Sequence, residues 1–211
     1  MKRNLLYIAL SLVAILLLSG CEKTSNIVLM HNTLTYISYD QQTIDVRSSD
    51  FGAEIIDHNY ANGYGTILFD RTITKIGDNA FSDCSSLTSI TIPYGVNYIG
   101  DKAFKNCERL TSITIPDGVT SIGDHAFHNC GSLKSIKIPG SVTLIGYGAL
   151  AECDNISKVY CSSTTPPLGG VDILGDNTQL CIIYVPRKSV AAYKNASGWR
   201  DYADVILGYD F

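Results

Sequence analysis

The sequence lacks the motifs by which most enzymes are recognised. It contains no nucleophile elbow, no phosphate-binding loop, no metal-protease motif and no pair of carboxylates at catalytic spacing. Serine and threonine are plentiful, but their positions are those expected of repeat surfaces and loops. We therefore expect no catalytic residues, no cofactor and no metal, and we interpret the chain as a non-enzymatic protein.

An excess of positive charge is also missing. Lysine and arginine number 16 against 20 aspartates and glutamates, which gives a net charge of −4 at pH 7. Nucleic acids and anionic lipid surfaces are bound through clustered basic residues. An acidic chain has no electrostatic reason to bind either of them, so we expect no nucleic-acid partner.

One long apolar run is present, and it lies at the N-terminus. Residues 5–18 follow a basic start and are too few for a membrane span of about 20 residues, but they suit the core of a signal peptide. The run ends in Leu18-Ser19-Gly20-Cys21, which looks like a lipobox, the motif in which a signal peptidase cuts before a cysteine that carries diacylglycerol. We predict a lipoprotein signal peptide at 1–20 and a lipid anchor at Cys21. The alternative is an ordinary secretory signal with an incidental cysteine.

Cleavage at this point would leave a tether that joins the anchor to the folded part. Loss of Lys2 and Arg3 with residues 1–20 would change the net charge to −6, so the lipid is the expected membrane contact. Residues 21–32 form the predicted tether. Similar lipoproteins of Bacteroides-type bacteria often carry two or more acids after the cysteine when they reach the outer surface, and here only Glu22 fits. We expect an outer-membrane lipoprotein, with its exposure at the cell surface left open.

The dominant feature of the sequence is an internal repeat of 23 residues. The segment 99–116 is nearly repeated at 76–93 and at 122–139. A fixed period of this length with an aliphatic skeleton indicates a leucine-rich-repeat solenoid. Six columns recur: Ile76, Ile99, Ile122 and Ile145; Gly77, Gly100, Gly123 and Gly146; Ala80, Ala103, Ala126 and Ala149; Phe81, Phe104 and Phe127 with Leu150; Cys84, Cys107, Cys130 and Cys153; Leu87, Leu110 and Leu133 with Ile156.

Each repeat has the pattern of a strand, a turn and a short helix. Ile113 and Ile115 alternate in the two-residue rhythm of a strand, which Pro116 ends because proline has no N–H for the ladder. Turn residues follow, and Phe127 and Cys130 lie on one side of a short predicted helical turn. Stacked copies bury an apolar set that one copy cannot bury alone. The predicted fold is therefore an α/β solenoid with a parallel sheet.

These repeats resemble the BspA-like leucine-rich repeats of bacterial cell-surface proteins. The matching motif is L-x-x-I-x-I-P-x-x-V-x-x-I-G-x-x-A-F-x-x-C, as at 87–107, and the resemblance covers residues 64–161. It implies a leucine-rich-repeat solenoid and adhesion to host or bacterial surfaces. The position that holds asparagine or cysteine in the general leucine-rich-repeat pattern is Gly95 or Gly118 here, so we expect no asparagine ladder.

Capping segments are predicted on both sides of the solenoid at 64–161. Residues 33–63 alternate as strands and are the predicted β-rich N-terminal cap. The segment 67–69 lies 23 residues before a repeat strand and is predicted as the first strand of the stack. Residues 162–211 are predicted as a mixed C-terminal cap, with a strand, a helix at 187–195 and a final apolar run.

Cysteine and histidine have structural interpretations. The recurring cysteines predict a buried column of free thiols, because stacked side chains point in parallel whereas a disulfide needs Cβ atoms that face each other. Such a column also lacks the convergent geometry of a zinc site. His125 and His128 occupy columns that hold Lys102 and Lys105 in the preceding repeat. We therefore expect both histidines on a solvated convex surface.

The candidate ligand face consists of the outward residues of the parallel strands. Solenoids bind partners on such concave sheets. Two rows are predicted to begin at Thr66 and Leu68, and the lysine- and tyrosine-rich end is the expected hot spot because tyrosine offers a large amphipathic contact. An ordinary solvated sheet is the alternative. The candidate residues are Ser89, Thr91, Ser112, Thr114, Ser135, Lys137, Lys158, Tyr160 and Tyr184.

From these features we predict a monomeric, membrane-anchored interaction or adhesion protein that binds a protein or glycan on its concave sheet. The alternative is a carbohydrate-binding lipoprotein of a polysaccharide-uptake system, in which Tyr160 and Tyr184 are stacking platforms for sugars.

Overall fold

The computed structural model describes residues 32–169, 172–175 and 181–211. The predicted signal peptide, the anchor at Cys21 and nearly all of the predicted tether lie outside these ranges. Among the described residues, no helix is both long enough and apolar enough to cross a membrane.

Short strands make up most of the regular structure. One α-helix, α1, is described at Val190–Asn195, and 3-10 helices lie at Ser48–Asp50, Arg187–Ser189 and Arg200–Val205. The strands are β1 (Thr33–Ser38), β2 (Ile55–Ala61), β3 (Tyr64–Phe69), β4 (Lys75–Ile76), β5 (Leu87–Thr91), β6 (Tyr98–Ile99), β7 (Ser112–Thr114), β8 (Ser121–Ile122), β9 (Ser135–Ile138), β10 (Leu144–Ile145), β11 (Lys158–Cys161), β12 (Leu168–Gly169), β13 (Ile182–Pro186) and β14 (Ile206–Tyr209).

The repeats stack through parallel strands, which confirms the predicted leucine-rich-repeat fold. On one side of the solenoid, β5 pairs with β7 in one sheet, and β9 with β11, β11 with β13 and β13 with β14 in another, all in parallel. The register joins residues 23 apart in most of these pairs, as for Ser89 and Ser112, and residues 24 apart between β11 and β13. On the flank, the two-residue strands β4, β6, β8, β10 and β12 form a further, entirely parallel sheet.

The N-terminal cap differs from the prediction at the first strand of the stack. β3, which contains residues 67–69, does not continue the parallel sheet, because β1 lies between β3 and β5 and is antiparallel to both. Tyr36 of β1 is buried and its ring lies over Gly65 of β3, where a Cβ would collide with it. The prediction that 67–69 begins the stack was therefore wrong.

The segments predicted as short helices are turns. Two residues four apart in each of these turns have positive φ, for example Lys102 at 56° and Asn106 at 60°. Left-handed residues cannot continue a right-handed helix. Alternate N–H groups therefore bond to the next repeat instead of along a helix, as when Phe104 N–H donates to the Ala126 carbonyl at 2.7 Å. Convex turns and concave strands alike are joined by inter-repeat hydrogen bonds.

Side chains add further ladders to this backbone network. Asn106 Nδ2 donates to Asp83 Oδ1 at 2.7 Å, and Asn129 Nδ2 donates to Asn106 Oδ1 at 3.1 Å. A short asparagine ladder is thus present, contrary to prediction, in the left-handed column of the turn. The prediction had considered only the column of Gly95 and Gly118.

Aromatic and sulfur columns fill the core. The parallel rings of Phe81, Phe104 and Phe127 stack with centroids 5.1 and 5.3 Å apart. Cys107 Sγ donates to the Phe81 carbonyl oxygen at 3.1 Å, and Cys130 and Cys153 repeat this contact in the next repeats. The cysteines among the described residues are free thiols, buried except for the half-buried Cys84. Their column provides both apolar volume and a donor for a buried carbonyl.

The C-terminal cap closes the last repeat with three large side chains. Trp199 Nε1 donates to the Pro167 carbonyl at 2.8 Å, and Tyr193 Oη donates to the Ser163 carbonyl at 3.0 Å. Tyr202 Oη accepts the Leu174 N–H at 3.2 Å. These contacts hold α1 and the last 3-10 helix against the stack, so that the following residues reach the sheet as β14.

Candidate ligand-binding face

The outward residues of β5, β7, β9, β11, β13 and β14 form a surface. They alternate with inward residues such as Ile136, Val159 and Ile183, which are almost fully buried. On β9, β11 and β13, the register brings Lys137, Tyr160 and Tyr184 side by side. The predicted residues that are exposed are Thr91, Ser112, Thr114, Ser135, Lys137 and Lys158, and those that are half-buried are Ser89, Tyr160 and Tyr184.

At the N-terminal end, the two rows do not run as predicted. Thr66 pairs with Thr35 of β1, and Thr35 pairs with Thr91 on its other side. Leu68 likewise pairs with Thr33 and does not adjoin β5. The insertion of β1 therefore removes Thr66 and Leu68 from the stacked rows.

Tyr160 and Tyr184 pack against each other. Their ring centroids are 5.0 Å apart and their planes differ by only 15°. Rings lying flat on the sheet, side by side, would overlap at this distance. The two rings therefore stand upright with their faces in mutual contact, and the edges of the rings point away from the sheet.

Two further aromatic residues, which are not among the predicted ligand-face residues, extend this pair. The Tyr209 ring lies 5.4 Å from that of Tyr160 and 5.5 Å from that of Tyr184, edge-to-face with both. Phe211 packs on Tyr209 at 5.2 Å and is 53% exposed. Their sequence signal is the alternation of Leu207, Tyr209 and Phe211 at every second position.

Negative charge is absent from the strands of this face. None of β5, β7, β9, β11, β13 and β14 contains an aspartate or glutamate, whereas Lys137 and Lys158 are exposed on two of them. The nearest acid in sequence, Asp210, is paired with Arg187 at 2.9 Å. This guanidinium lowers the pKa of the Asp210 carboxyl. Acids gather elsewhere, in a cavity lined by Asp40, Asp45, Asp50 and Asp83.

The histidine pair is more covered than predicted. The rings of His125 and His128 are 5.1 Å apart, and Tyr147 packs edge-to-face on His125. The His128 side chain is only 17% exposed, and burial lowers its pKa. The prediction of a solvated surface was therefore wrong for these rings, and the His125 ring fills the space over Gly148 in the next repeat. Among the described residues, no cluster of three or more histidine, cysteine or acidic side chains is arranged for a metal.

The chain belongs to the family of BspA type leucine rich repeat regions. The family model matches residues 59–170 in six copies. This membership indicates an interaction protein, and no enzyme family is indicated. No curated protein matches the chain.

Several solved bacterial structures are similar to it. A leucine rich repeat protein of T. pallidum shares 26% identity at a TM-score of 0.54, over 66% of this chain and 63% of that one. A leucine-rich repeat protein from Bacteroides ovatus shares 27% identity at a TM-score of 0.40, over 63% of this chain and 38% of that one. The chain thus spans less than two thirds of the length of either protein.

Proposed function

We propose that this chain is a membrane-anchored, non-enzymatic interaction protein that binds a macromolecular ligand on its concave sheet. The observation that supports the proposal best is the cluster of Tyr160, Tyr184 and Tyr209, with Lys137 and Lys158 beside it, on the sheet of a leucine-rich-repeat protein. Tyrosine is one of the residue types that supply much of the free energy of binding at protein interfaces. The lipobox at Cys21 supports anchoring in the outer membrane, and the family supports display at the cell surface.

The geometry of the tyrosines favours a protein ligand over a sugar ligand. Sugars stack on exposed ring faces, but the adjacent faces of Tyr160 and Tyr184 cover each other. Tyr209 stands against both rings and restricts access further. The proposed carbohydrate-binding alternative would therefore have fewer ring faces available for stacking.

Binding is expected to depend on the tyrosine pair. The double variant Tyr160→Ala, Tyr184→Ala should lower affinity at least tenfold, about 1.4 kcal/mol. The protein should stay folded with a modest loss of stability, because both side chains point outward and lose ring contacts but leave no cavity in the core. Binders would be identified on an array of purified glycoproteins and glycans and then titrated by calorimetry. The control is Lys102→Ala with Lys105→Ala on the convex side, which should bind normally. Loss of binding in this control together with full binding by the tyrosine variant would mean that the ligand uses the convex side.

Membrane association is expected to depend on Cys21. Replacement of Cys21 by alanine removes the thiol that would carry diacylglycerol, so the protein should move from the membrane fraction to the soluble fraction on cell fractionation. Metabolic labelling with a fatty acid should mark the wild-type chain and leave the variant unlabelled. Equal labelling of both proteins would contradict the proposed anchor.

A further inference from the structure

We infer that the concave face recognises an acidic peptide segment that carries an apolar side chain close to its carboxylates. The inference rests on the proposed function and names the ligand class for the same face. It follows from three properties of that face: the charge of its strands, the orientation of the tyrosine rings and the apolar residues beside them.

The first property is the sign of the charge. The whole chain has 20 acidic and 16 basic residues, yet the six strands of the face contain two exposed lysines and no acid. Lys158 lies between Ser135 and Ile182 in the register, and Lys137 lies directly beside Tyr160. No carboxylate on these strands competes for either ammonium group. Complementary charge raises the association rate and excludes partners of the same sign, so the face favours an anion.

The second property is the edge-on presentation of the tyrosines. An aromatic ring carries partial negative charge on its faces and partial positive charge at its edge. Since Tyr160 and Tyr184 each cover one face of the other, ring edges and O–H groups make up more of what they present to a ligand. Ring edges and hydroxyl hydrogens attract carboxylate oxygens, as the neighbouring lysines do. The aromatic cluster therefore reinforces the preference for an anion.

The third property distinguishes a peptide from an acidic glycan. Next to the tyrosine pair, three large apolar side chains are exposed to solvent. The exposed fraction is 45% for Leu207, 42% for Tyr209 and 53% for Phe211. A sugar chain offers no large apolar group to cover these side chains, whereas a leucine or phenylalanine near an aspartate or glutamate can do so. Apolar burial and charge pairing then act on neighbouring residues of one extended segment.

Selection from a random peptide library tests the inference even though the natural ligand is unidentified. A phage library of random peptides would be selected on the immobilised full chain. The expected result is enrichment of aspartate and glutamate next to phenylalanine, leucine or isoleucine. One selected peptide, made synthetically, should bind the variant Lys137→Gln, Lys158→Gln at least fivefold more weakly than the wild type, and its affinity should fall with added salt. Lys102→Gln with Lys105→Gln is the matched convex control and should bind like the wild type.

Other outcomes separate failure of the ligand class from failure of the face. Enrichment of neutral or basic peptides that still require Tyr160 and Tyr184 would overturn the acidic class and leave the proposed function standing. If acidic peptides bind the lysine variant and the tyrosine variant as well as they bind the wild type, they do not use this face. That result would contradict both the inference and the proposed function. Binding of polygalacturonate without any enriched peptide would assign the face to an acidic glycan and overturn the inference.

Discussion

Replacement of Phe104 by alanine is expected to destabilise the protein by about 3–5 kcal/mol, the scale for emptying a buried aromatic site. Phe104 is fully buried and stacks between Phe81 and Phe127, with interplanar angles of 8° and 4°. Its removal opens a cavity in the middle of the column and takes contacts from both neighbours. This turn donates backbone N–H groups to carbonyls of the next repeat and accepts N–H groups of the preceding repeat, so the space cannot collapse without strain. The loss in free energy of unfolding is measured by urea denaturation, with circular dichroism as the signal.

A nearby exposed residue serves as the control for this substitution. Lys102 belongs to the same turn, two residues before Phe104, and its side chain is exposed. Lys102→Ala should change the free energy of unfolding by less than about 0.5 kcal/mol. Similar losses for Lys102→Ala and Phe104→Ala would show that the inward and outward sides of the turn have been assigned wrongly.

The stack itself could be predicted because its signals are local and repeated. Inward residues such as Ile90, Ile113 and Ile136 alternate with outward residues in their strands, and a period of 23 residues aligns them in one column of the stack. The chemistry of each column is also readable, as the buried cysteines show. The columns do not reveal the hydrogen-bond partner of the cysteine thiol. Cys107 donates to the Phe81 carbonyl, which lies 26 residues away and therefore belongs to a different column.

The strand order at both ends could not be predicted, because it depends on non-local pairing. The segment 67–69 has the spacing of a repeat strand, but whether β1 inserts beside it depends on Tyr36 packing over Gly65. At the other end, Tyr209 reaches the ligand face only because α1 carries the chain across the last repeat and β14 pairs in parallel with β13. Neither arrangement has a signature within one short segment.

The turn conformation was missed because its residue types gave a mixed signal. Asn106 and Asn129 adopt the left-handed region that asparagine tolerates, but Lys102 and His125 adopt it too. Lysine has no preference for positive φ, and the enrichment of histidine there is too weak to predict the turn. The apolar spacing of Ala126, Phe127 and Cys130 is also that of a helix. The hydrogen bonds to neighbouring repeats, which a single repeat does not possess, decide in favour of the turn.

The glycine column yields the second prediction of large effect. Gly123 lies beneath Asp101 of the preceding repeat, whose carboxylate Oδ1 accepts the Asp124 N–H at 2.8 Å. A Cβ at position 123 would lie 2.6 Å from the Asp101 backbone nitrogen and would also collide with the Asp101 carboxylate. The glycine is therefore required by the close approach of two repeats, and Gly100 and Gly146 meet the preceding repeat in the same way.

Gly123→Ala is accordingly expected to destabilise the protein by at least about 3 kcal/mol, the upper end of the usual range for overpacking, because two of the three colliding atoms belong to the backbone and cannot rotate away. Gly131 is the matched control: a Cβ there meets no atom within 4 Å, and its φ lies outside the left-handed region. Gly131→Ala should be neutral or slightly stabilising, since alanine reduces the entropy of the unfolded chain. Urea denaturation of both variants checks the prediction. If the two substitutions cost the same, close contact between successive repeats is not what places glycine in this column.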